Sequence, residues 1–373
     1  MQKVTILFLI PTLGHGGAEK VLINLVNHLN QSKYEITVQT LFSGGVNEKY
    51  LNKNIRYKSW ISRPFRGNSK ILSIIPARWL YRYIIKDKYD IVISYLEGPT
   101  AHIVSGCPYF ETKIVQWIHI ELNTINRLKT GFLFLEKAIQ FYKKCDKLVF
   151  VAKSVLDCFE RTVKLNFSNA IVLYNTIETN KILTMSEEAV TDISFSTKTI
   201  NVCSVAKIIP AKGFDRLVRV HKRLINEGVD HHIYILGIGP QQREIEVYLE
   251  KYNLENSFTF VGYRENPYKY VAACDLYICS SRREGFSTAV TEALIVGTPV
   301  VSTNCSGSYE LLGNNNEYGI VTDNSEDGIY KGLKRMISDN KLREYYSEKA
   351  KERGRMFSTK NTVDSVDEML MGL

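Results

Sequence analysis

The chain has 373 residues, 45% of them apolar, enough to build two cores of ordinary domain size, and no uninterrupted apolar run approaches the ~18 residues of a membrane-spanning helix. Its seven cysteines are scattered, odd in number and without a C-x-x-C pair; there is no H-E-x-x-H and no D-x-D, so a disulfide framework, a zinc site and a metal-held nucleotide all lack support. The net charge of +9 is unevenly placed: residues 1–175 hold 24 Lys and Arg against 12 Asp and Glu, while the remainder holds 24 against 27, and a basic first half points to an anionic partner such as nucleic acid or a membrane surface.

The start, Met1 to Pro11, sets one lysine before an apolar run, as a short signal peptide does. It lacks a small-residue cleavage site and passes directly into a glycine turn and an amphipathic helix, so it reads as a first strand, Lys3 to Ile10, of a cytosolic protein. The helix, Ala18 to Leu29, carries Val21, Leu22, Leu25, Val26 and Leu29 on one side. Between them, Gly14-His15-Gly16-Gly17-Ala18-Glu19 lets the backbone come close to a phosphate at the helix start. The plain alternative is a tight turn without a ligand. Its spacing is not G-x-G-x-x-G, which weakens nicotinamide binding.

Strands recur at Glu35 to Leu41, Asp90 to Tyr95, Lys113 to Ile118, Lys147 to Val151 and Ala170 to Tyr174, with helical stretches between them. That alternation is the doubly wound parallel pattern. His119 ends one of these strands, where such sheets present catalytic side chains, and Glu97 ends another. Arg63 to Lys88 contains seven basic residues and one acid, Asp87. A helix beginning near Pro76 places Arg78, Arg82 and Lys86 in one row, with Ile75, Trp79, Leu80, Tyr83 and Ile84 adjoining it. Basic and aromatic residues together suit a membrane surface; a surface helix with solvated arginines is the alternative. Arg127 to Lys144 repeats the mixture around Phe132-Leu133-Phe134-Leu135.

A polar stretch from Thr179 to Lys198 reads as an interdomain linker. The second domain opens with the strand Thr199 to Val205 and a loop holding Lys207 and Lys212, two lysines able to pair with the phosphates of a diphosphate. His231-His232 reads as part of a polar loop before the strand His232 to Leu236; Phe258 to Val261 follows. The strand Leu276 to Cys279 then runs into Ser280-Ser281-Arg282-Arg283-Glu284-Gly285-Phe286-Ser287 and a helix to about Val296. Glu284 sits in the loop and Glu292 in the helix. Carboxylates there can accept from sugar hydroxyls while the N–H groups of Gly285 and the residues after it donate to phosphate. The alternative is that Glu284 caps the helix and Glu292 is a solvated carboxylate. The chain from Asp327 to Leu373 reads as helical.

Arg283-Glu284-Gly285-Phe286-Ser287, with Glu292 eight residues after Glu284 and then Gly297-Thr298-Pro299-Val300-Val301, resembles the E-x7-E signature of family 4 retaining glycosyltransferases. The resemblance implies the GT-B fold, two Rossmann-like doubly wound α/β domains facing across a cleft. It assigns Glu284 to hydroxyls of the donor sugar, Glu292 to the nucleotide ribose, Gly16 and Gly17 to the donor diphosphate, and the loop of Tyr263 to the base. His119 would approach the donor sugar. Gly285, Phe286 and Ser287 complete the donor loop. Lys207 departs from the family's usual arginine, which keeps the charge and loses the bidentate fork.

The expected organisation is an acceptor-binding domain over 1–178, a nucleotide-sugar-binding domain over 199–358, and a last helix, 359–373, that crosses back to the first. The expected function is transfer of a hexose or N-acetylhexosamine, UDP-linked in the donor, to a hydroxyl of a lipid-linked saccharide acceptor in cell-surface polysaccharide or glycan synthesis. Catalysis would fall to His119, Glu284, Lys212 and Lys207 without a metal or other cofactor. The enzyme would sit in the cytoplasm, peripheral on the inner face of an anionic membrane, with no nucleic-acid partner. A sugar-nucleotide epimerase of the same fold, a pyridoxal-phosphate phosphorylase, and a non-catalytic basic membrane-surface protein are the rivals.

Overall fold

The computed structural model describes residues 3–14, 16–63 and 65–373. Met1 and Gln2 of the first apolar run, His15 of the glycine turn and Pro64 of the basic stretch lie outside the described residues.

Two compact units form, one running to Ile177 and taking in Lys360–Leu373, the other spanning Glu178–Thr359. The first holds β1 (Val4–Ile10), β2 (Tyr34–Phe42), β3 (Arg56–Ile61), β4 (Ile91–Ser94), β5 (Lys113–Ile118), β6 (Lys147–Phe150) and β7 (Ala170–Val172). They make one sheet in the order β3-β2-β1-β4-β5-β6-β7, every pair parallel. Central strands of such a sheet are covered on both faces and so read as continuous apolar runs; Ile6 to Ile10 are all fully buried. β3 escaped sequence reading for the same reason in reverse. It is an edge strand, Arg-Tyr-Lys-Ser-Trp-Ile, with no fully buried residue.

The second unit holds β8 (Ile200–Val205), β9 (His231–Leu236), β10 (Phe258–Gly262), β11 (Leu276–Cys279), β12 (Val300–Thr303) and β13 (Ile320–Thr322). Their order is β10-β9-β8-β11-β12-β13, again all parallel. β12 and β13, four and three residues long, are not among the strands read from the sequence. Residues 179–198 are not a free linker: the helix Thr179–Ser186 buries Ile182, Asn266 Nδ2 donates to Met185 O at 2.7 Å, and Tyr270 and Arg264 both hold Asp192. The final helix, Thr359–Met371, is fastened within the first unit, where Asp367 accepts from Lys33 Nζ and Tyr34 Oη, each at 2.7 Å.

Each sheet reverses its order of growth once, at β1/β4 in the first unit and at β8/β11 in the second. The loops leaving those strands diverge there and open a crevice beyond the carboxyl ends, which is where doubly wound sheets take ligands. Gly14–Gly17 follows β1 and Glu97 follows β4; Lys212 follows β8 and Glu284 follows β11.

His231 and His232 belong to β9 rather than to a polar loop. His221 is fully buried, with Nδ1 2.8 Å from His231 Nε2 and Nε2 2.9 Å from Ser257 Oγ. Burial, with the neighbouring histidines, pushes His221 down to about 2 and His232 to about 4, and burial lowers His231; in the first unit it holds His119 at about 3. An unfolded histidine takes its proton near 6.5, so stability is complete above that pH and is lost as pH falls toward 4, by roughly 1.4 kcal/mol per pH unit for each neutral buried ring. Glu97, raised to about 7 by burial, opposes this as one group against four. The expected result is a melting temperature clearly lower at pH 5 than at pH 7, with a smaller gap in His221→Gln. A gap that His221→Gln leaves unchanged removes His221 from the account.

Candidate active site

β11 ends at Cys279, and the next two residues, Ser280 and Ser281, are buried although polar. Their carbonyls are claimed by Arg216, itself 5% exposed in the helix Phe214–Asn226. Its Nε and Nη2 donate to Ser280 O at 3.0 and 2.7 Å, and Nη2 donates also to Ser281 O at 2.7 Å and Asn324 Oδ1 at 2.6 Å. Thr303 Oγ1 donates to Ser281 O at 2.6 Å. A planar guanidinium suits this task because it carries five donors and no acceptor.

The loop after β8 is bound to the same segment. Ser280 Oγ donates to Lys212 O at 2.9 Å and the Arg282 amide to Ala211 O at 2.8 Å, while Arg282 grips Asp215 through two bonds of 2.6 and 2.7 Å. Those bonds to Arg282 hold Asp215 down at about 2. Gly213 stands between the loops at φ +70°, where a Cβ would come within 2.2 Å of Ser280 O. Any side chain there would push the loops apart.

Lys212 and Glu284 meet as a result. Lys212 Nζ lies 2.7 and 2.9 Å from the two Glu284 oxygens, and Ser281 Oγ donates to the same carboxylate. Burial works against the Lys212 charge, but the charge and hydrogen bond of Glu284 outweigh it and raise its pKa above that of free lysine. The ammonium has three N–H donors and Glu284 occupies two directions, so one remains for an incoming oxygen. The pair lines a small recess shared with Tyr277, Ser287 and Ala289.

Ser287, not Glu284, caps the helix Thr288–Val296, with its hydroxyl accepting from the Val290 amide. The capping explanation of Glu284 is thereby removed. Glu292, in the second turn, accepts from Tyr268 Oη at 3.1 Å. Phe286 is 6% exposed and its ring packs 5.7 Å from that of Phe357, so its side chain anchors the loop, and neither it nor Gly285 lines the recess. Lys207 lies apart from the recess, exposed and without an ion pair among the described residues. Tyr263, after β10, is 59% exposed.

In the first unit, Gly16 is the N-cap of the helix Gly17–His28, and a Cβ on it would run into the Glu19 carboxylate. His119 is 8% exposed, its ring centroid 4.8 Å from that of Tyr95, and its Nε2 has no partner among the described residues. At a pKa near 3 the ring is neutral, able to accept or to donate from one nitrogen but carrying no charge. Glu97 accepts from the amides of His119 and Ile120, fixing the turn that presents the ring.

Sequence reading missed Arg216, Asp215 with Arg282, and Asn324. Arg216 did leave a signal: it stands beside Phe214, Leu217, Val218 and Leu224 on a helix whose face is otherwise buried, and a charge so placed needs partners.

Two family descriptions match nearly the whole chain between them, Glycosyl transferases group 1 over residues 186–353 and Glycosyltransferase Family 4 over residues 15–181. The N-acetylgalactosamine-N,N'-diacetylbacillosaminyl-diphospho-undecaprenol 4-alpha-N-acetylgalactosaminyltransferase of Campylobacter jejuni is 27% identical over the full length of both chains. The putative colanic acid biosynthesis glycosyltransferase WcaL of Escherichia coli is 32% identical over 36% of this chain and 35% of its own. Among solved structures, Anabaena HepE in complex with UDP-glucose superposes with a TM-score of 0.76 at 17% identity, covering 99% of this chain and 100% of that one. Sucrose-phosphate synthase of Thermosynechococcus elongatus gives 0.80 at 14% identity over 99% of each. Both show the same fold.

Proposed function

The chain belongs to the family 4 glycosyltransferases of the GT-B fold, and from that premise we propose that it transfers a hexose or N-acetylhexosamine, with retention of configuration, from a UDP-sugar to a hydroxyl of a lipid-linked saccharide. The observation that carries this reading is the Lys212–Glu284 pair at the β8/β11 switch point. Lys212 offers its remaining N–H to the diphosphate and neutralises the charge that grows as the glycosyl bond breaks; Glu284 holds that ammonium and accepts from donor hydroxyls. Glu292 takes the ribose. Lys207 meets the diphosphate from the rim. The departing phosphate receives the proton of the acceptor hydroxyl; in the first unit, His119 is a neutral ring able to hydrogen-bond a sugar. The acceptor class follows the Campylobacter relative, whose name specifies a diphospho-undecaprenol saccharide. Bacterial cell-surface polysaccharide or glycan synthesis, at the cytoplasmic face of the membrane, is the process this serves.

The positive charge needed at the diphosphate comes from lysine side chains and backbone amides, so the reaction requires no metal. Titration calorimetry in EDTA with UDP and with UDP-sugars tests the donor site. Glu292→Ala is expected to weaken both by roughly 1.5–3 kcal/mol, the worth of a charged hydrogen bond, while transfer by the parent protein persists in EDTA. Unchanged binding in Glu292→Ala, or activity abolished by EDTA and restored by magnesium or manganese, overturns the corresponding part of the reading.

A further inference from the structure

The helix Ala77–Ile84 is apolar on two faces and only one is covered. Leu80, Tyr81 and Ile84 are buried, whereas Trp79 is 77% exposed, Tyr83 69%, and Ile74, at the end of the preceding helix Asn68–Ile74, 66%. Arg78 and Arg82 stand one turn apart on this helix, whereas Lys86 lies two residues beyond its end and so outside the row that helical spacing predicts; all three are exposed and none is in an ion pair among the described residues. The nearby carboxylate, Asp87, is taken instead by Arg56 and Lys58. Large apolar side chains beside uncompensated cations are complementary to one kind of surface, in which anionic headgroups overlie hydrocarbon.

We propose that this face of the first unit docks on an anionic lipid bilayer and brings the β4 side of the β1/β4 crevice to the membrane. The inference rests on the lipid-linked acceptor for its purpose, though not for its chemistry. The face is joined to that crevice by His102, whose Nε2 lies 2.9 Å from Ile75 O and whose ring centroid is 5.4 Å from that of Phe132. Beyond Phe132, Phe134 is 62% exposed, and the same loop packs Gly131 directly against Gly98 O at the end of β4. An acceptor whose tail stays in the bilayer would then reach the turn of Glu97 and His119 along one apolar border.

Cosedimentation of the full chain with phosphatidylglycerol-containing vesicles and with phosphatidylcholine vesicles, without donor or acceptor, tests the docking. Binding is expected to the former only, with a blue shift of emission that Trp79→Phe removes. Arg78→Glu/Arg82→Glu/Lys86→Glu is expected to lower partitioning about 100-fold or more, at about fivefold for each basic residue, while leaving transfer to a lipid-free saccharide acceptor unchanged. Vesicle binding that survives the triple substitution overturns the proposal. So does a parent protein that sediments as a dimer and becomes monomeric on Trp79→Ala/Tyr83→Ala, which assigns the face to a second copy. Transfer to a lipid-linked acceptor without any vesicle binding overturns the docking and leaves the acceptor reading standing.

Discussion

Replacing Lys212 with alanine is expected to lower transfer by roughly 10²- to 10³-fold, the usual cost of deleting one preorganised group that stabilises charge in the transition state. The same substitution strips Glu284 of its cation while that carboxylate is largely enclosed, so part of the loss could come from instability of the loop. The double variant Lys212→Ala/Glu284→Gln separates the two. It removes the stranded charge and is expected to recover thermal stability without recovering turnover. Glu284→Gln alone should bind UDP nearly as the parent does and transfer poorly, because its proposed contact is with the sugar and not with the diphosphate. Turnover numbers for the three variants, beside UDP affinity by calorimetry, check the scheme. A Lys212→Ala protein that turns over within a few-fold of the parent would place the catalytic charge elsewhere.

The second large effect is on folding. Arg216→Leu leaves the carbonyls of Ser280 and Asn324 without the guanidinium donors and takes one donor from Ser281 O, and a buried acceptor stripped of its partner costs about 1–3 kcal/mol. Because Thr303 still serves Ser281 O, the expected total is roughly 3–5 kcal/mol, or about 10 °C in the melting of the second unit. Arg216→Lys keeps the charge but reaches fewer of the carbonyls, so it should fall between. Urea denaturation reads both. Since the same carbonyls set the position of Glu284, UDP-sugar affinity should fall alongside stability. A midpoint that does not move in Arg216→Leu would mean that water or a local shift satisfies the loop as well as the guanidinium does.

Surface exposure separates residues that the sequence treats alike. Lys207 and Lys212 share one loop and one charge, yet Lys212 is enclosed beside Glu284 and Lys207 projects into solvent. Phe286 lies between two residues of the donor loop and is nevertheless a core contact with Phe357. The basic helix shows the same limit. Its apolar residues number enough to cover both the sheet and a second surface, but periodicity ranks Trp79 with Leu80, and only the packed unit reveals that Leu80 goes inward and Trp79 outward.

From the sequence alone came the alternation of buried strands and helices, hence two parallel-sheet domains, and the E-x7-E stretch with its glycine and lysine loops, hence the family. These are local properties: a strand covered on both faces must be apolar throughout, and a turn against a backbone or phosphate must be small. The edge strand β3, the short strands β12 and β13, the docking of residues 179–198 on the second unit, and the Arg216 clasp were decided only by tertiary structure. Each depends on partners distant along the chain. Arg216 binds carbonyls 64 and 65 residues away, and Lys212 meets Glu284 across 72. No window of sequence contains both halves of such a contact; the order of the strands, with β8 beside β11, brings them together.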